Sequence, residues 1–291
     1  MEEILISKES TEQRLDKFLM RYLNNAPKGF IYKMLRKKNI TLNGKRGNGS
    51  EILQENDIIK LFLSAETIEK FKSRPNYKKG EIDIIYEDNE KALLNKPANL
   101  LTQPDTKNGD SLISRFVEYF GQSDFTPVCI NRLDRNTSGL VLVAKTLHSA
   151  QKLSKMMREG QISKFYTAIV EGEIKEKLLL EGFHEKVYQG KFSIKSDGQG
   201  AQVFTEITPI KHKNNQTLLR IKLITGKTHQ IRAHLASINY PIVGDIKYGN
   251  GKKNQRQLLH CTEIIIADQS FKAPPPSDMA FPANMTIKNP R

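Results

Sequence analysis

Residues 131–140 read Asn-Arg-Leu-Asp-Arg-Asn-Thr-Ser-Gly-Leu, and they are the most informative stretch of this 291-residue chain. Asp134 lies between Arg132 and Arg135 and is followed by residues that favour a turn. A nearby arginine favours the ionised form of a carboxylate. An ionised Asp can act as a nucleophile or a base, although a surface Asp with ion-pairing neighbours is also common and carries no function. Taken alone, the stretch leaves both interpretations open.

Strand-like segments surround this stretch on both sides. Apolar and alternating runs predict strands over residues 82–86, 92–94, 140–144, 165–170, 218–224 and 258–266. Helical spacing predicts helices over residues 111–120, with Ser111 or Asp110 as the cap, 148–158 and 228–238. Because the helices do not alternate regularly with the strands, the pattern predicts an α+β fold with a mostly antiparallel or mixed sheet.

Excess positive charge is the clearest feature of the composition. The chain has 46 Lys and Arg against 32 Asp and Glu, a net charge of +14, and its pI is near 9.6. Such an excess favours a polyanionic partner, nucleic acid before membrane, although a merely basic soluble protein is the alternative. The longest apolar runs, such as 139–144, are far short of the ~20 residues that span a bilayer. Two cysteines and no secretory pattern fit a reducing cytoplasm.

Most of the charge lies near the N-terminus. Residues 14–46 hold ten basic residues and one acidic residue, or +9, which leaves +5 for the other 258 residues. Apolar spacing predicts helices over 15–23 and after Pro27, and strands over 40–42, ending in an Asn43-Gly44 turn, and 57–63. The candidate RNA contacts are Arg14, Lys17, Lys33, Arg36, Lys37, Lys38, Lys45 and Arg46. The alternative is a solvated basic face on an ordinary helical hairpin.

The N-terminal pattern resembles the alpha-L RNA-binding domain, named after a small-subunit ribosomal protein. The matching residues are 13–19 and 40–46, and the resemblance covers about residues 12–63. The polar, Lys-rich residues that follow indicate a linker. We therefore expect a small α+β RNA-binding domain over 1–64, a linker over 65–80 and a larger domain over 81–291.

Five further segments give the central stretch its context. They read Lys-Phe-Tyr-Thr-Ala-Ile-Val-Glu-Gly at 164–172, Leu-Ile-Thr-Gly-Lys-Thr-His-Gln-Ile-Arg-Ala-His-Leu at 223–235, Tyr-Pro-Ile-Val-Gly-Asp at 240–245, Leu-Leu-His-Cys at 258–261 and Asn-Lys-Pro-Ala at 95–98. Together with Phe-Lys-Ala-Pro-Pro-Pro at 271–276, and in this order, they resemble the RluA-type family of RNA pseudouridine synthases over about residues 81–285. The N-terminal RNA-binding domain is a familiar addition in that family.

The resemblance implies a role for each matching residue. Asp134 matches the catalytic aspartate, Arg232 the arginine that pairs with it, and Tyr166 the tyrosine that stacks on the target base. Arg132 matches the arginine that helps displace that base, and Leu259 an apolar residue of the pocket; we add Arg135, beside Asp134, as a candidate substrate contact. One departure is Asn131, where the family usually has His, and we expect it to alter contacts beside Asp134. Without the resemblance, Tyr166 would be interpreted as a core residue and Arg232 as an exposed one.

Other motifs in the sequence fail their own requirements. Gly226-Lys227-Thr228 mimics the end of a P-loop, but position 221 is Ile where that loop needs Gly. His229 and His234 lack the Glu and the spacing of a zinc-binding metalloprotease helix. Two cysteines without a C-x-x-C pair do not predict a structural zinc site. We therefore expect no metal and no cofactor.

The expected reaction is the isomerisation of uridine to pseudouridine in RNA. The N1–C1′ glycosidic bond breaks, the uracil turns, and a bond from C5 to C1′ forms, which needs no redox partner or phosphate donor. The sequence leaves open whether Asp134 attacks the ribose, attacks the base or removes a proton. We expect large-subunit ribosomal RNA as substrate, with transfer RNA as the alternative, and a monomer in the cytoplasm. A non-catalytic RNA-binding or ribosome-assembly protein is the alternative from another functional class.

Overall fold

The computed structural model describes residues 1–7, 10–72, 80–105, 109–121, 125–187, 190–198, 200–252 and 255–281. The buried apolar residues form two clusters, one drawn from residues 6–68 and one from residues 92–273. Each cluster is built by both helices and strands, so the predicted α+β class is confirmed. Among the described residues, no helix is long and apolar enough to cross a membrane.

The N-terminal part is a four-stranded antiparallel sheet, in the order β1-β4-β2-β3, with helices packed on it. Its elements are β1 (Glu2–Leu5), α1 (Leu15–Tyr22), α2 (Lys28–Arg36), β2 (Ile40–Leu42), β3 (Lys45–Arg46), β4 (Ile58–Leu61) and α3 (Ala65–Lys72). The predicted turn between β2 and β3 is present: Asn43 and Gly44 have φ angles of 50° and 73°. Positive φ at both positions is what a tight hairpin turn requires.

Helix α3 corrects the linker prediction for residues 65–72. Ile68 is buried in the N-terminal core, and the rings of Phe71 and Phe30 lie 4.7 Å apart. Ile68 and Phe71 are three residues apart and therefore share one helix face, which the polar composition of the segment conceals. Residues 73–79 lie outside the described ranges, and the domain boundaries remain a prediction.

In the described residues of the larger part, three α-helices pack around one 11-stranded sheet. Its elements are β5 (Ile84–Glu87), β6 (Lys91–Lys96), α4 (Leu112–Phe120), β7 (Val128–Cys129), β8 (Ser138–Ala144), α5 (Leu147–Arg158), β9 (Ile162–Glu171), β10 (Leu178–Lys186), β11 (Phe192–Lys195), β12 (Ala201–Lys213), β13 (Gln216–Leu223), α6 (Gln230–Ser237), β14 (Leu259–Ile266) and β15 (Gln269–Lys272). Ser111 caps α4 with a reciprocal Ser111–Ser114 capping box.

The sheet follows the order β11-β10-β12-β13-β9-β14-β8-β6-β5, with β15 beside β14 and β7 beside β8. Its strand pairs are antiparallel apart from β14 and β8, which are parallel. The predicted mixed sheet is therefore confirmed. The parallel pair is important for function because it places the loop before β8 beside the start of β14.

Gly139 explains why the two parallel strands meet so closely. It has a φ of +110°, and a Cβ atom at this position would lie 2.3 Å from the Cys261 carbonyl oxygen. A side chain would therefore push β8 away from β14. Across β14, Cys261 also faces Tyr166 on β9. The centre of the sheet thus brings the end of the Asp134 loop, the start of β14 and the middle of β9 together.

Candidate active site

Asp134 lies in the loop that leads into β8, and side chains hold that loop on both sides. Buried Thr102 accepts a hydrogen bond from the Leu133 N–H at 3.0 Å and donates its hydroxyl to the Leu133 carbonyl at 2.8 Å. Lys96 donates Nζ to the Arg135 carbonyl at 2.9 Å, and Arg256 donates Nη1 to the Asn136 carbonyl at 3.3 Å. The backbone around the carboxylate is therefore fixed from residue 133 to residue 136.

Lys96 is the least accessible of these supports. It is fully buried, and its Nζ also donates to the carbonyls of Pro97 at 2.8 Å and Leu100 at 2.7 Å. Burial lowers the pKa of Lys96 to about 7, although the charge of Asp134 opposes that shift. The three hydrogen bonds to carbonyl oxygens favour the ammonium form and join the loop after β6 to the loop before β8.

Arg232 connects Asp134 to a second carboxylate. Its Nη1 donates to Asp134 Oδ2 at 2.8 Å, while Nε and Nη2 donate to the two oxygens of Asp245 at 2.7 and 2.9 Å. Asp245 is fully buried and also accepts the backbone N–H groups of Lys247 and Tyr248 at 2.9 and 3.0 Å. The two-point contact with Asp245 fixes the plane of the guanidinium, so Nη1 is aimed at Asp134.

The charges of this triad support one another. Burial raises the pKa of the Asp245 carboxyl, but the hydrogen bonds and charge of Arg232 outweigh burial, and the pKa lies below its ordinary value. Burial lowers the pKa of Arg232, and the two carboxylates raise it by more. The two carboxylates therefore share one arginine, which stays charged, and Asp134 is the more accessible of the two: its side chain is 25% exposed and that of Asp245 is 1% exposed.

Tyr166 and Leu259 form the apolar wall facing Asp134. Tyr166 is 4% exposed on β9, and Leu259 is 4% exposed at the first position of β14. Burial raises the pKa of Tyr166, and its side chain is hydrogen-bonded to Cys261. Tyr166 and Asp134 both line a cleft of about 520 Å³. A cleft of that size with one aromatic wall and a few polar groups suits a single base or small ring.

The two arginines that flank Asp134 differ from Arg232 in exposure. Arg132 and Arg135 are exposed, and both line the cleft beside Asp134. Neither forms a side-chain ion pair with a described residue at 4 Å or less. The structure therefore brings six of the candidate residues together: Asp134, Arg232, Tyr166, Arg132, Arg135 and Leu259. Their roles stay a prediction.

Asn131, which stands where the family usually has His, has a structural partner. Its side chain accepts the Leu142 N–H at 2.8 Å and donates to the Leu140 carbonyl at 3.3 Å. Both contacts are to β8 and not to Asp134. The amide thus ties the loop to the strand that follows it, and the effect of Asn131 on contacts beside Asp134 stays a prediction.

The basic N-terminal residues lie mainly at the surface. Exposed side chains belong to Lys17, Lys33, Arg36, Lys37, Lys38, Lys45 and Arg46. Arg14 is also exposed, but its guanidinium donates to both oxygens of buried Asp16 at 3.1 and 3.0 Å. Arg14 therefore also stabilises its own domain, because it pairs a carboxylate that is 3% exposed.

Sequence reasoning missed several residues that surround Asp134. Asp245, His229 and Lys96 lie within the matching segments, but the sequence indicates no catalytic role for them, nor for Tyr248. The Asp245 carboxylate at the end of a Gly-Asp turn was the one available signal. Among the described residues, no group of three or more His, Cys, Asp or Glu side chains gathers as a metal site.

Comparisons with known proteins agree with this geometry. The sequence profile of a family described as RNA pseudouridylate synthase matches residues 91–237. A protein from Mycoplasma capricolum, named uncharacterized RNA pseudouridine synthase, is 30% identical over 94% of this chain and 94% of its own length. Ribosomal large subunit pseudouridine synthase C of Buchnera aphidicola is 32% identical over 90% of this chain and 88% of its own.

The likeness extends to solved structures. Human RNA Pseudouridylate Synthase Domain Containing 1 superposes with a TM-score of 0.57, at 21% identity, over 69% of this chain and 85% of that one. At 21% identity the structural match indicates the fold only. The sequence matches indicate the family. The chain belongs to the RluA-type family of RNA pseudouridine synthases, and it is an isomerase.

Proposed function

We propose that this enzyme converts uridine to pseudouridine in large-subunit ribosomal RNA and that Asp134 is its reacting carboxylate. The observation that carries the second part is the 2.8 Å contact between Asp134, which lines the cleft, and Arg232. Arg232 directs Nη1 at Asp134, because its Nε and Nη2 are held by Asp245.

The walls of the cleft have matching tasks in this proposal. A base in folded RNA must leave its stack before an enzyme can act on it. Arg132, exposed beside Asp134, enters the space that the base vacates, and Tyr166 stacks on the extruded uracil. Stacking of a base on an aromatic ring contributes about 1–3 kcal/mol. Leu259 packs at the same pocket, and Arg135 contacts a neighbouring phosphate.

The choice of ribosomal RNA draws on relatives and on charge. The Buchnera protein and a Borreliella burgdorferi protein, 32% identical over 66% of this chain, are named ribosomal large subunit pseudouridine synthases C and D. The exposed basic residues of the N-terminal part, Arg14 included, suit a phosphate backbone. We further propose that the enzyme acts as a monomer in the cytoplasm, where its substrate is made.

Mapping pseudouridines in total RNA tests the substrate. Cells without the gene, cells restored with the wild-type gene and cells restored with the Asp134→Asn gene are compared. We expect specific uridines of the large ribosomal RNA to lose modification in the first and third and regain it in the second. Loss of pseudouridine confined to transfer RNA would show that transfer RNA, and not ribosomal RNA, is the substrate. No change at any position would favour a non-catalytic RNA-binding role.

A further inference from the structure

His229 places a second polar group beside Asp134. Its Nε2 lies 3.7 Å from Asp134 Oδ2, just beyond hydrogen-bond range, and both residues line the cleft. His229 has a φ of +57°, a left-handed conformation that is uncommon for residues other than glycine. Backbone strain of this kind persists where the surrounding structure enforces it, and it concentrates at functional sites.

The partners of Tyr248 decide which nitrogen of His229 carries the proton. The Tyr248 hydroxyl accepts the Phe192 N–H at 2.8 Å and lies 3.1 Å from His229 Nδ1. If Nδ1 carried the proton, the Tyr248 hydroxyl would accept hydrogen bonds from both Phe192 and His229. The hydrogen of that hydroxyl would then lack an acceptor among the described residues. With Nδ1 as the acceptor, all three groups are satisfied. The proton of the neutral ring is then on Nε2, on the Asp134 side.

Aromatic neighbours hold the ring in this orientation. The His229 ring meets Phe192 and Tyr248 edge-on, with centroids 5.7 and 5.6 Å away, and His184 stacks on Phe192 at 4.5 Å. Burial lowers the pKa of His229, although Asp134 opposes that effect, so the imidazole is neutral at physiological pH. The result is a preoriented N–H donor that no described residue accepts at hydrogen-bond distance.

The reaction creates a partner for such a donor. When the N1–C1′ bond breaks, its electron pair stays with the uracil, and the negative charge spreads over O2 and O4. We propose that His229 donates its Nε2–H to an oxygen of the departing uracil and so stabilises that charge. The proton remains on His229, so the step requires no additional acid or base. This inference rests on the proposed role of Asp134, because it places the uracil beside that carboxylate.

Two substitutions separate this role from a structural one. The amide nitrogen of Gln lies as many bonds from Cα as Nε2 does, whereas that of Asn corresponds to Nδ1. Asn tolerates the left-handed backbone better than Gln does. If His229 has a purely structural role, His229→Asn should lower the isomerisation rate less than His229→Gln does. If His229 is a hydrogen-bond donor to the uracil, His229→Gln should lower the rate less.

The experiment measures single-turnover isomerisation, RNA affinity and thermal unfolding for both variants of the full chain. We expect His229→Asn to lose about 100-fold or more in rate, and His229→Gln to stay within about 10-fold of wild type despite equal or lower thermal stability. RNA affinity should be unchanged in both. Equal rates for the two variants, or a faster Asn variant, would overturn the proposal.

Failure of the His229 proposal can be distinguished from failure of the Asp134 proposal. An inactive Asp134→Asn enzyme together with a fully active His229→Asn enzyme would refute only the donor role of His229, whereas an active Asp134→Asn enzyme would refute the proposed chemistry itself.

Tyr248→Phe adds a second check, since it removes the hydroxyl that directs the tautomer of His229. We expect a several-fold loss of rate from it, and no loss from Tyr119→Phe, whose side chain is exposed and bonded to Glu87. A Tyr248→Phe rate equal to wild type would contradict the hydrogen-bond chain.

Discussion

Arg232 and Asp245 form a buried two-point ion pair, with contacts of 2.7 and 2.9 Å, that leaves the Nη1 nitrogen of Arg232 to donate to Asp134. The pair therefore positions the arginine, and the arginine positions the candidate catalytic carboxylate. Asp245 itself faces away from the accessible part of the site, because its side chain is 1% exposed.

Asp245→Asn tests this arrangement. Breaking one partner of a buried ion pair costs about 3–5 kcal/mol, so we expect a markedly lower free energy of unfolding and a lower kcat. Urea unfolding and single-turnover assays measure the two effects. Glu3→Gln is the matched control, because Glu3 pairs with Lys60 at 3.0 Å on the exposed surface and such pairs contribute about 0–1 kcal/mol. Equal stability of the two variants would show that Asp245 is not supporting the site.

Tyr166 offers a test of base stacking. Tyr166→Phe keeps the ring, so we expect RNA affinity close to wild type. Tyr166→Ala removes the ring, and loss of about 1–3 kcal/mol of stacking should weaken binding roughly 5- to 150-fold. Equilibrium binding of a uridine-containing RNA, measured well below the unfolding temperature of each variant, distinguishes them. Total loss of affinity in the Phe variant would argue against stacking.

The exposed cations of the N-terminal part predict how RNA affinity depends on salt concentration. Replacing Lys33, Arg36 and Lys37 with Gln removes three exposed cations of α2 and its C-terminal end. If all three contact phosphates, the slope of log affinity against log salt should become shallower by about 3. In the control variant, Gln replaces the exposed residues Lys175, Lys177 and Lys272. This variant has the same net charge as the first. Identical slopes for the two enzymes would mean that only total charge matters.

Asp16 predicts how the N-terminal part responds to acid. The Arg14 hydrogen bonds, opposed by burial and aided by Tyr32, lower the pKa of Asp16 from 3.8 to about 2. A carboxyl with a lowered folded-state pKa contributes stability above its unfolded pKa and loses it as pH falls through the folded one. We therefore expect the stability gap between wild type and Asp16→Asn to be full at pH 5 and to shrink between about pH 4 and pH 2. A gap independent of pH over that range would contradict the assigned pKa.

Local pattern predicted much of the fold. Periodicity located the strands at 140–144 and 165–170 and the capped helix α4, because each is a half-buried or fully buried element with a regular apolar face. It gave no prediction for β10, β11 and β12. β11 has no buried residue, and β12 buries alternate residues from 203 to 209. Two of those four are Thr205 and Pro209, so the alternation is not visible as an apolar pattern in the sequence.

The site depended on contacts that spacing cannot reveal. Arg232 and Asp134 are 98 residues apart. They meet because α6, which packs on β10, β11 and β12, carries Arg232 to the loop before β8. The family resemblance supplied that pair, but it did not supply Asp245 or the Tyr248–His229 contact. The Asp245 contacts and the Tyr248–His229 contact depend on side-chain geometry around a turn and a left-handed residue. Periodic patterns in the sequence do not reveal that geometry.

The most direct test of the proposed chemistry is the Asp134→Asn enzyme on purified uridine-containing RNA. The amide is close in size to the carboxylate and still faces Arg232, so we expect the protein to fold and RNA binding to persist. Isomerisation should be undetectable, because an amide replaces the charged oxygen that reacts. Substantial pseudouridine formation by this variant would contradict the assignment of Asp134 as the reacting group.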